Sequence, residues 1–194
     1  MSANYQQSKS MLMPIEGGYA FPNNRKAGET YRGIDRRYHP TWKGWPLIDA
    51  FKRNNKIRAG QIINDAAIEA AVVDFYQKYW AQHGLQHIVH PTIAAMLFAF
   101  VVHEQYRAIR IINAVAAKLG EKKTNQYKIT PEVAATLEKN DVAGYRLLRA
   151  AITAHYNNMT SDPNRASYIR NRVNVFPPTI VSAKKKSSFS WWPW

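Results

Sequence analysis

The sequence predicts a mainly α-helical protein with a small loop-and-hairpin subdomain near its N-terminus. Three observations carry that expectation. From residue 65 onward, apolar side chains recur at the three- and four-residue spacing of amphipathic helices. Between Gly17 and Gly60, by contrast, Pro22, Pro40 and Pro46 together with six glycines interrupt any long helix. With 194 residues, 46% of them hydrophobic, the chain can bury one good core or two small ones.

The elements follow in order. A first short helix is expected from about Asn4 to Ile15, with Pro14 disturbing its last turn. Residues 17 to 60 read as loops and short hairpin elements, in which Tyr38, Trp42 and Trp45 supply aromatic faces. At least two of these three are expected to pack a subdomain that has few aliphatic side chains. Asp65 caps a helix to about Gln82, whose Ile68, Val72, Phe75, Tyr76 and Tyr79 form one stripe. Pro91 suits the first position of a second long helix. Its Ile93, Met96, Leu97, Phe100 and Val101 follow a helical stripe while the opposite side is also apolar, so this is the expected buried central helix. Glu104 and Arg107, toward its end, are spaced to pair. Thr130-Pro131-Glu132-Val133 opens another helix, Asp141 precedes one carrying Leu147, Leu148 and Ile152, and Asp162-Pro163 opens the last, to about Val173. Beyond Phe176-Pro177-Pro178 the composition changes. Lys184, Lys185 and Lys186 followed by Trp191, Trp192 and Trp194 read as a docking peptide for a membrane surface or a protein assembly. The expected division is residues 1–88, residues 89–176 and a basic, Trp-rich tail at 177–194.

The chemistry concentrates near the N-terminus. Glu16-Gly17-Gly18-Tyr19 is followed, fourteen residues after the Glu, by Thr30 within Gly28-Glu29-Thr30-Tyr31-Arg32-Gly33-Ile34. Met11, Leu12, Met13 and Ile15 precede Glu16, so its carboxyl is expected to leave a packed segment half-buried, where lost hydration favours the protonated form. A protonated carboxyl at a cleft edge can donate to a glycosidic oxygen. Gly17 and Gly18 admit positive φ and let another backbone or a flat sugar ring come close. The Thr30 hydroxyl can hold a water or a sugar group. On the residues alone a second reading stands beside this one, in which Glu16 ends a helix and the glycines terminate it.

The stretch from Ile15 to Ile34 resembles the opening of glycoside hydrolase family 108, lysozyme-like N-acetylmuramidases that carry an E-G-G-Y run and then G-x-T-x-x-G-I. Tyr79-Trp80 resembles the Tyr-Trp that closes the catalytic domain of that family. His90 to about Arg172 resembles the family's predicted peptidoglycan-binding C-terminal domain, with an apolar helix at Ile93 to Val102 and a helix around Ile109 to Leu119. The resemblance implies a lysozyme-like helical fold and a hydrolase that cuts the glycan β-1,4 bond of peptidoglycan. It makes Glu16 the general acid, Thr30 its catalytic companion, and Gly17, Gly18, Tyr19, Tyr31 and Trp80 substrate-binding residues. One departure stands out. The family usually places an Asp nine residues after the Glu, and here that position is Arg25, whose guanidinium cannot act as a base at neutral pH. Glu29, Asp35, Asp49 and Asp65 are the nearest alternative carboxylates in sequence, and Glu104 is a more remote one. The departure opens an alternative: a weakened or inactive wall-binding component of a phage or contractile injection particle, docked by its tail.

No cofactor or metal is implied. The chain has no cysteine, which excludes disulfides and thiolate metal sites. His83, His87 and His90 have helical spacing, but Gly84 and Pro91 interrupt a helix through them, so structural or loop roles are expected. A net charge of +14 points to polyanionic surroundings, among them peptidoglycan, teichoic acid, anionic lipid and nucleic acid. The basic residues are interleaved with Tyr and Trp, yet no helix-turn-helix, zinc or RNA-binding signature accompanies them, which argues against nucleic acid. Met1 to Ser10 is polar and lacks the apolar core of a secretory signal. The longest apolar run, Ile93 to Val102, is far short of the roughly 20 residues that span a bilayer. The expectation is a protein made in the cytoplasm that reaches the cell wall by non-classical export or phage delivery.

Overall fold

A computed structural model of the chain describes residues 3–21 and 28–182. Among the described residues are eight α-helices and one small antiparallel sheet. The chain divides into two compact units, Lys9–Tyr79 and Met1–Ser8 with Trp80–Trp194.

In the Lys9–Tyr79 unit, helix α1 (Ala3–Glu16) enters with Pro14 inside its last turn. It ends where Gly17 turns to φ +64° and donates its N–H back to the Met13 carbonyl at 3.2 Å. That is the left-handed helix stop for which glycine, lacking a Cβ, is suited. Gly18 serves a different purpose. A Cβ there would collide with the carbonyls of Gly60 and Gln61, because Tyr19 pairs with that segment through Tyr19 N–H to Gln61 O at 2.8 Å and Gly60 N–H to Tyr19 O at 2.7 Å. Strands β1 (Tyr19–Ala20), β2 (Thr30–Tyr31) and β3 (Ile34–Asp35) form the sheet in that order, with Tyr19 opposite Tyr31 and Tyr31 opposite Ile34. The two-residue connection between β2 and β3 is Arg32-Gly33, with φ of +51° and +77°. Positive φ at both central residues is the signature of the type I′ hairpin turn, whose twist matches that of the strands.

Helix α2 (Gly44–Asn54) departs from the expected loop across residues 17–60. Pro46 lies at its third position, where the missing N–H would have had no intrahelical partner. Trp42 and Trp45 are buried, cross edge to face at 5.0 Å, and satisfy their indole N–H groups on the carbonyls of Ala71 and His39. Tyr38 stays exposed, so two of the three aromatics form this core as expected. In helix α3 (Ala66–Gln82), the Asp65 carboxylate accepts from the N–H groups of Ala67 and Ile68 at 2.8 and 3.0 Å, the N-terminal cap read from the sequence. The inward stripe buries Ile68, Val72 and Tyr76.

The other unit centres on α4 (Pro91–Glu104), buried without interruption from Ile93 to Val101. His90 caps it through Nδ1, which accepts from Thr92 N–H at 3.2 Å. Tyr5 packs against Trp80 and Phe98 at ring separations of 5.6 and 6.3 Å. Gln105, at φ +48°, breaks the chain direction before α5 (Tyr106–Lys118). Helices α6 (Pro131–Lys139), α7 (Asp141–Asn157) and α8 (Arg165–Arg172) complete the unit. Thr130 caps α6 by accepting from Val133 N–H at 3.3 Å. Arg149 on α7 fastens the segment after α8 by donating to the carbonyls of Val173 and Phe176 at 2.6 and 3.1 Å. Among the described residues no helix is long and apolar enough to cross a membrane. This helical chain with one small sheet is consistent with the lysozyme-like fold.

Candidate active site

Glu16 is the last residue of α1, and its half-buried carboxyl lies against the Arg32-Gly33 turn. A Cβ on Gly33 would collide with Glu16 Oε2 and come within 2.8 Å of the Tyr76 hydroxyl. Two separated pieces of sequence are thereby joined. The Glu of E-G-G-Y meets the last glycine of Gly28–Ile34, where a Cβ would overlap the carboxyl as it stands. The turn itself is fixed on both sides of Arg32. Arg32 N–H donates to Gly18 O at 3.2 Å, and the Arg32 carbonyl accepts from the Tyr76 hydroxyl at 2.6 Å. Around it, Glu69 on α3 pairs with Lys9 on α1 at 3.2 Å and with the Arg32 guanidinium at 3.6 Å.

Thr30 sits on β2, half-buried, and its hydroxyl donates to Gly28 O at 3.2 Å. With its one proton directed there, the oxygen keeps lone pairs for a water or sugar hydroxyl.

The aromatic residues expected to bind substrate are elsewhere engaged. Tyr19 is buried and its hydroxyl donates to Glu29 Oε1 at 2.7 Å; burial and this carboxylate push its pKa up. Tyr31 is buried and its hydroxyl accepts from Ile63 N–H at 3.1 Å. Trp80 is buried in the other unit against Tyr5 and Phe98. All three rings fill core, so as placed they offer no face for stacking on a sugar. Gly18 is closely approached by backbone at Gly60 and Gln61, which takes the space a ring would need. Arg25 and the tail residues Lys184, Lys185, Lys186, Trp191, Trp192 and Trp194 lie outside the described residues.

The alternative carboxylates each have a structural task. Glu29 receives Tyr19 at 2.7 Å, Arg36 at 2.7 Å and Lys52 at 2.5 Å. Burial acts to raise its pKa, but the hydrogen bonds from Lys52, Tyr19 and Arg36 outweigh it and hold the carboxyl below its ordinary range. Asp49 shares the same cations. The Arg36 hydrogen bond, working against burial, brings it to about 2. Asp35 pairs with Arg37 at 3.1 Å, and Asp65 caps α3. Glu104, in the other unit, has its carboxyl beside His103 at 3.2 Å, His155 at 2.9 Å and Arg107 at 3.3 Å. The His155 contact has ion-pair distance without hydrogen-bond alignment. Burial alone would raise Glu104, but the two histidines bring it down to about 2. A carboxyl held ionised in this way can balance charge but is a poor proton donor at neutral pH. The sequence did not reveal the Glu29 network, because Arg36, Asp49 and Lys52 come from a loop and a helix with no motif in common.

No curated protein matches the chain. Its fold is similar to the solved structure of SagA from Brucella abortus, with a TM-score of 0.54 at 16% identity over 89% of this chain and 94% of that one. The stretch that holds Glu16, Thr30 and the Arg32-Gly33 turn lies within residues 10–104, and these residues match the family Glycosyl hydrolase 108.

Proposed function

We propose that the protein is a lysozyme-like peptidoglycan hydrolase, an N-acetylmuramidase cutting the glycan β-1,4 bond, with Glu16 as general acid. The observation that carries this reading is the half-buried Glu16 carboxyl at a helix end, set against a turn whose glycine leaves it room. Glu16 donates its proton to the glycosidic oxygen as the bond to the anomeric carbon breaks. Thr30, its hydroxyl proton directed to Gly28 O, accepts from the water or sugar hydroxyl beside it. The match of residues 10–104 to Glycosyl hydrolase 108 supports the substrate class. In this reading the net charge of +14 holds the protein on the anionic wall, which it reaches by non-classical export or phage delivery. Incubation of the protein with purified sacculi, followed by mass analysis of the soluble products, tests it. Fragments ending in reducing N-acetylmuramic acid are expected; intact sacculi would contradict it.

One observation favours a second reading. Glycosidases of this kind use two carboxyl groups, yet Arg25 stands where the family places Asp, and Glu29, Asp35, Asp49 and Asp65 are engaged in ion pairs or a helix cap. A non-catalytic wall-binding component of a phage or injection particle, anchored through its Lys- and Trp-rich tail, would bind sacculi and release nothing.

A further inference from the structure

The geometry points to Asp35 as the second carboxyl group of the proposed reaction, the base that takes a proton from the attacking water beside Thr30. The inference rests on the hydrolase reading with Glu16 as acid, and it supplies the carboxylate that Arg25 cannot be. Three observations support it.

The first is register. Strands β2 and β3 place Tyr31 opposite Ile34 and Thr30 opposite Asp35, and the next step outward is bonded through Arg36 N–H to Glu29 O at 2.8 Å. Bonded and non-bonded pairs alternate along an antiparallel ladder, so Thr30 and Asp35 form a non-bonded pair, the kind whose side chains stand closest, with Cβ atoms about 4.5–5.5 Å apart. Both project from the face opposite the buried Tyr31 and Ile34. Next to Thr30 on β1 stands exposed Ala20, which adds only a methyl group to that face.

The second is convergence on Gly28. The Thr30 hydroxyl donates to Gly28 O at 3.2 Å, and a Cβ on Gly28 would collide with Asp35 Oδ1. Hydroxyl and carboxyl are thus gathered at one residue. Each outer glycine of the G-x-T-x-x-G motif stands against a carboxyl, Gly28 against Asp35 and Gly33 against Glu16.

The third is the state of the carboxyl. Asp35 Oδ1 accepts from Arg37 N–H at 2.8 Å and Oδ2 from Arg37 Nη2 at 3.1 Å. Burial acts to raise its pKa, but the hydrogen bonds from Arg37 outweigh it and hold the carboxyl below its ordinary range, an anion at neutral pH. Only part of it is covered, and its Arg37 partner is exposed, so water reaches it. Glu29, one residue before Thr30, alternates to the other face, where Tyr19, Arg36 and Lys52 hold it. Asp49 and Asp65 lie outside the sheet. In the reaction Glu16 passes its proton to the glycosidic oxygen, which leaves with the electron pair of its bond to the anomeric carbon. A lone pair of the water forms the new bond there, one water proton moves to Asp35, and the other O–H donates to Thr30. Exchange with solvent restores both carboxyl groups.

The test is Asp35→Asn, which keeps the size of the side chain and an oxygen for the Arg37 N–H, assayed on purified sacculi beside the wild type with a melting temperature for each. A fall of about 100-fold or more in kcat with KM little changed is expected. In parallel, Asp35→Ala is assayed with sodium azide. Azide carries no proton and attacks the anomeric carbon without a base while Glu16 protonates the leaving oxygen, so the released glycan is expected to end in a glycosyl azide, read by mass. Turnover like the wild type's in a folded Asp35→Asn protein would overturn the inference. So would a loss of turnover with no azide product, the result that a merely structural role gives. Should Asp35→Asn fold poorly, the azide product decides, because only attack at the anomeric carbon forms it. If the wild type itself releases no fragments, the hydrolase reading fails and takes the inference with it, whereas an active wild type with an equally active Asp35→Asn leaves that reading standing and ends the inference alone.

Discussion

Glu16 and Glu29 lie thirteen residues apart in one compact unit, both partly buried, yet their surroundings differ in kind. Glu29 faces Arg36, Lys52 and the Tyr19 hydroxyl. Glu16 faces a glycine turn buttressed by a phenol. Three donors make Glu29 a permanent anion that ties β2 to the Arg36 loop and to α2. Under the proposed function the Glu16 carboxyl, beside the Arg32-Gly33 turn, is the one that exchanges its proton with a substrate. Burial by itself therefore does not identify an acid. At Glu29 the donors that accompany burial outweigh it and hold the carboxyl below its ordinary range.

Several substitutions would break or sharpen this contrast. The largest effect is expected at Gly33→Ala. The new Cβ collides with Glu16 Oε2, and the backbone at φ +77° disfavours any side chain. Activity on sacculi should fall about 100-fold or more, with a stability loss of roughly 1–2 kcal/mol read by denaturant unfolding. Next comes Glu29→Gln, which leaves Arg36 and Lys52 with Asp49 as their remaining carboxylate and should cost about 2 kcal/mol at neutral pH. The sign of its pH dependence follows from the lowered folded-state pKa of Glu29. The carboxylate contributes stability above its unfolded value near 4.3, and that contribution is lost as pH falls through the lower folded value. The stability gap between the wild type and Glu29→Gln should thus be widest at pH 7 and close as the pH falls below about 4. A gap that persists in acid would show that packing, not charge, is the cause.

Smaller effects bound the comparison. Asp65→Ala removes the α3 cap and should cost about 1 kcal/mol with turnover per folded molecule unchanged. Arg37→Ala removes an exposed partner of Asp35 and should leave stability almost unchanged. A large loss of turnover in either would mean that Asp65 or Asp35 takes part in the reaction.

What the sequence made legible was local. The Asp65 and Thr130 caps, Pro91 at a helix start and the buried run after Ile93 each depend on residues within a turn or two of one another. Helix α2 is not legible in the sequence because Pro46 reads as a breaker, although at the third helical position it deprives no turn of a bond. The carriers of the E-G-G-Y and G-x-T-x-x-G-I motifs were visible, but not why their glycines are needed. Gly17 stops a helix, Gly18 admits the backbone of Gly60 and Gln61, and Gly33 admits Glu16. Those demands come from chain segments tens of residues away. The same holds for Tyr19, Tyr31 and Trp80, whose motif positions suggested contact with substrate while their rings proved to be core. Tyr76 reads only as part of an apolar stripe, because periodicity describes a ring and says nothing about its hydroxyl, which donates to the Arg32 carbonyl.

The most direct test compares Glu16→Gln with Glu29→Gln, measuring sacculus turnover and melting temperature for each. The account predicts that Glu16→Gln keeps a near wild-type melting temperature and loses on the order of 10²–10⁴ in turnover, whereas Glu29→Gln melts earlier and turns over normally while folded. Normal turnover in Glu16→Gln, or a folded Glu29→Gln protein without activity, would contradict it.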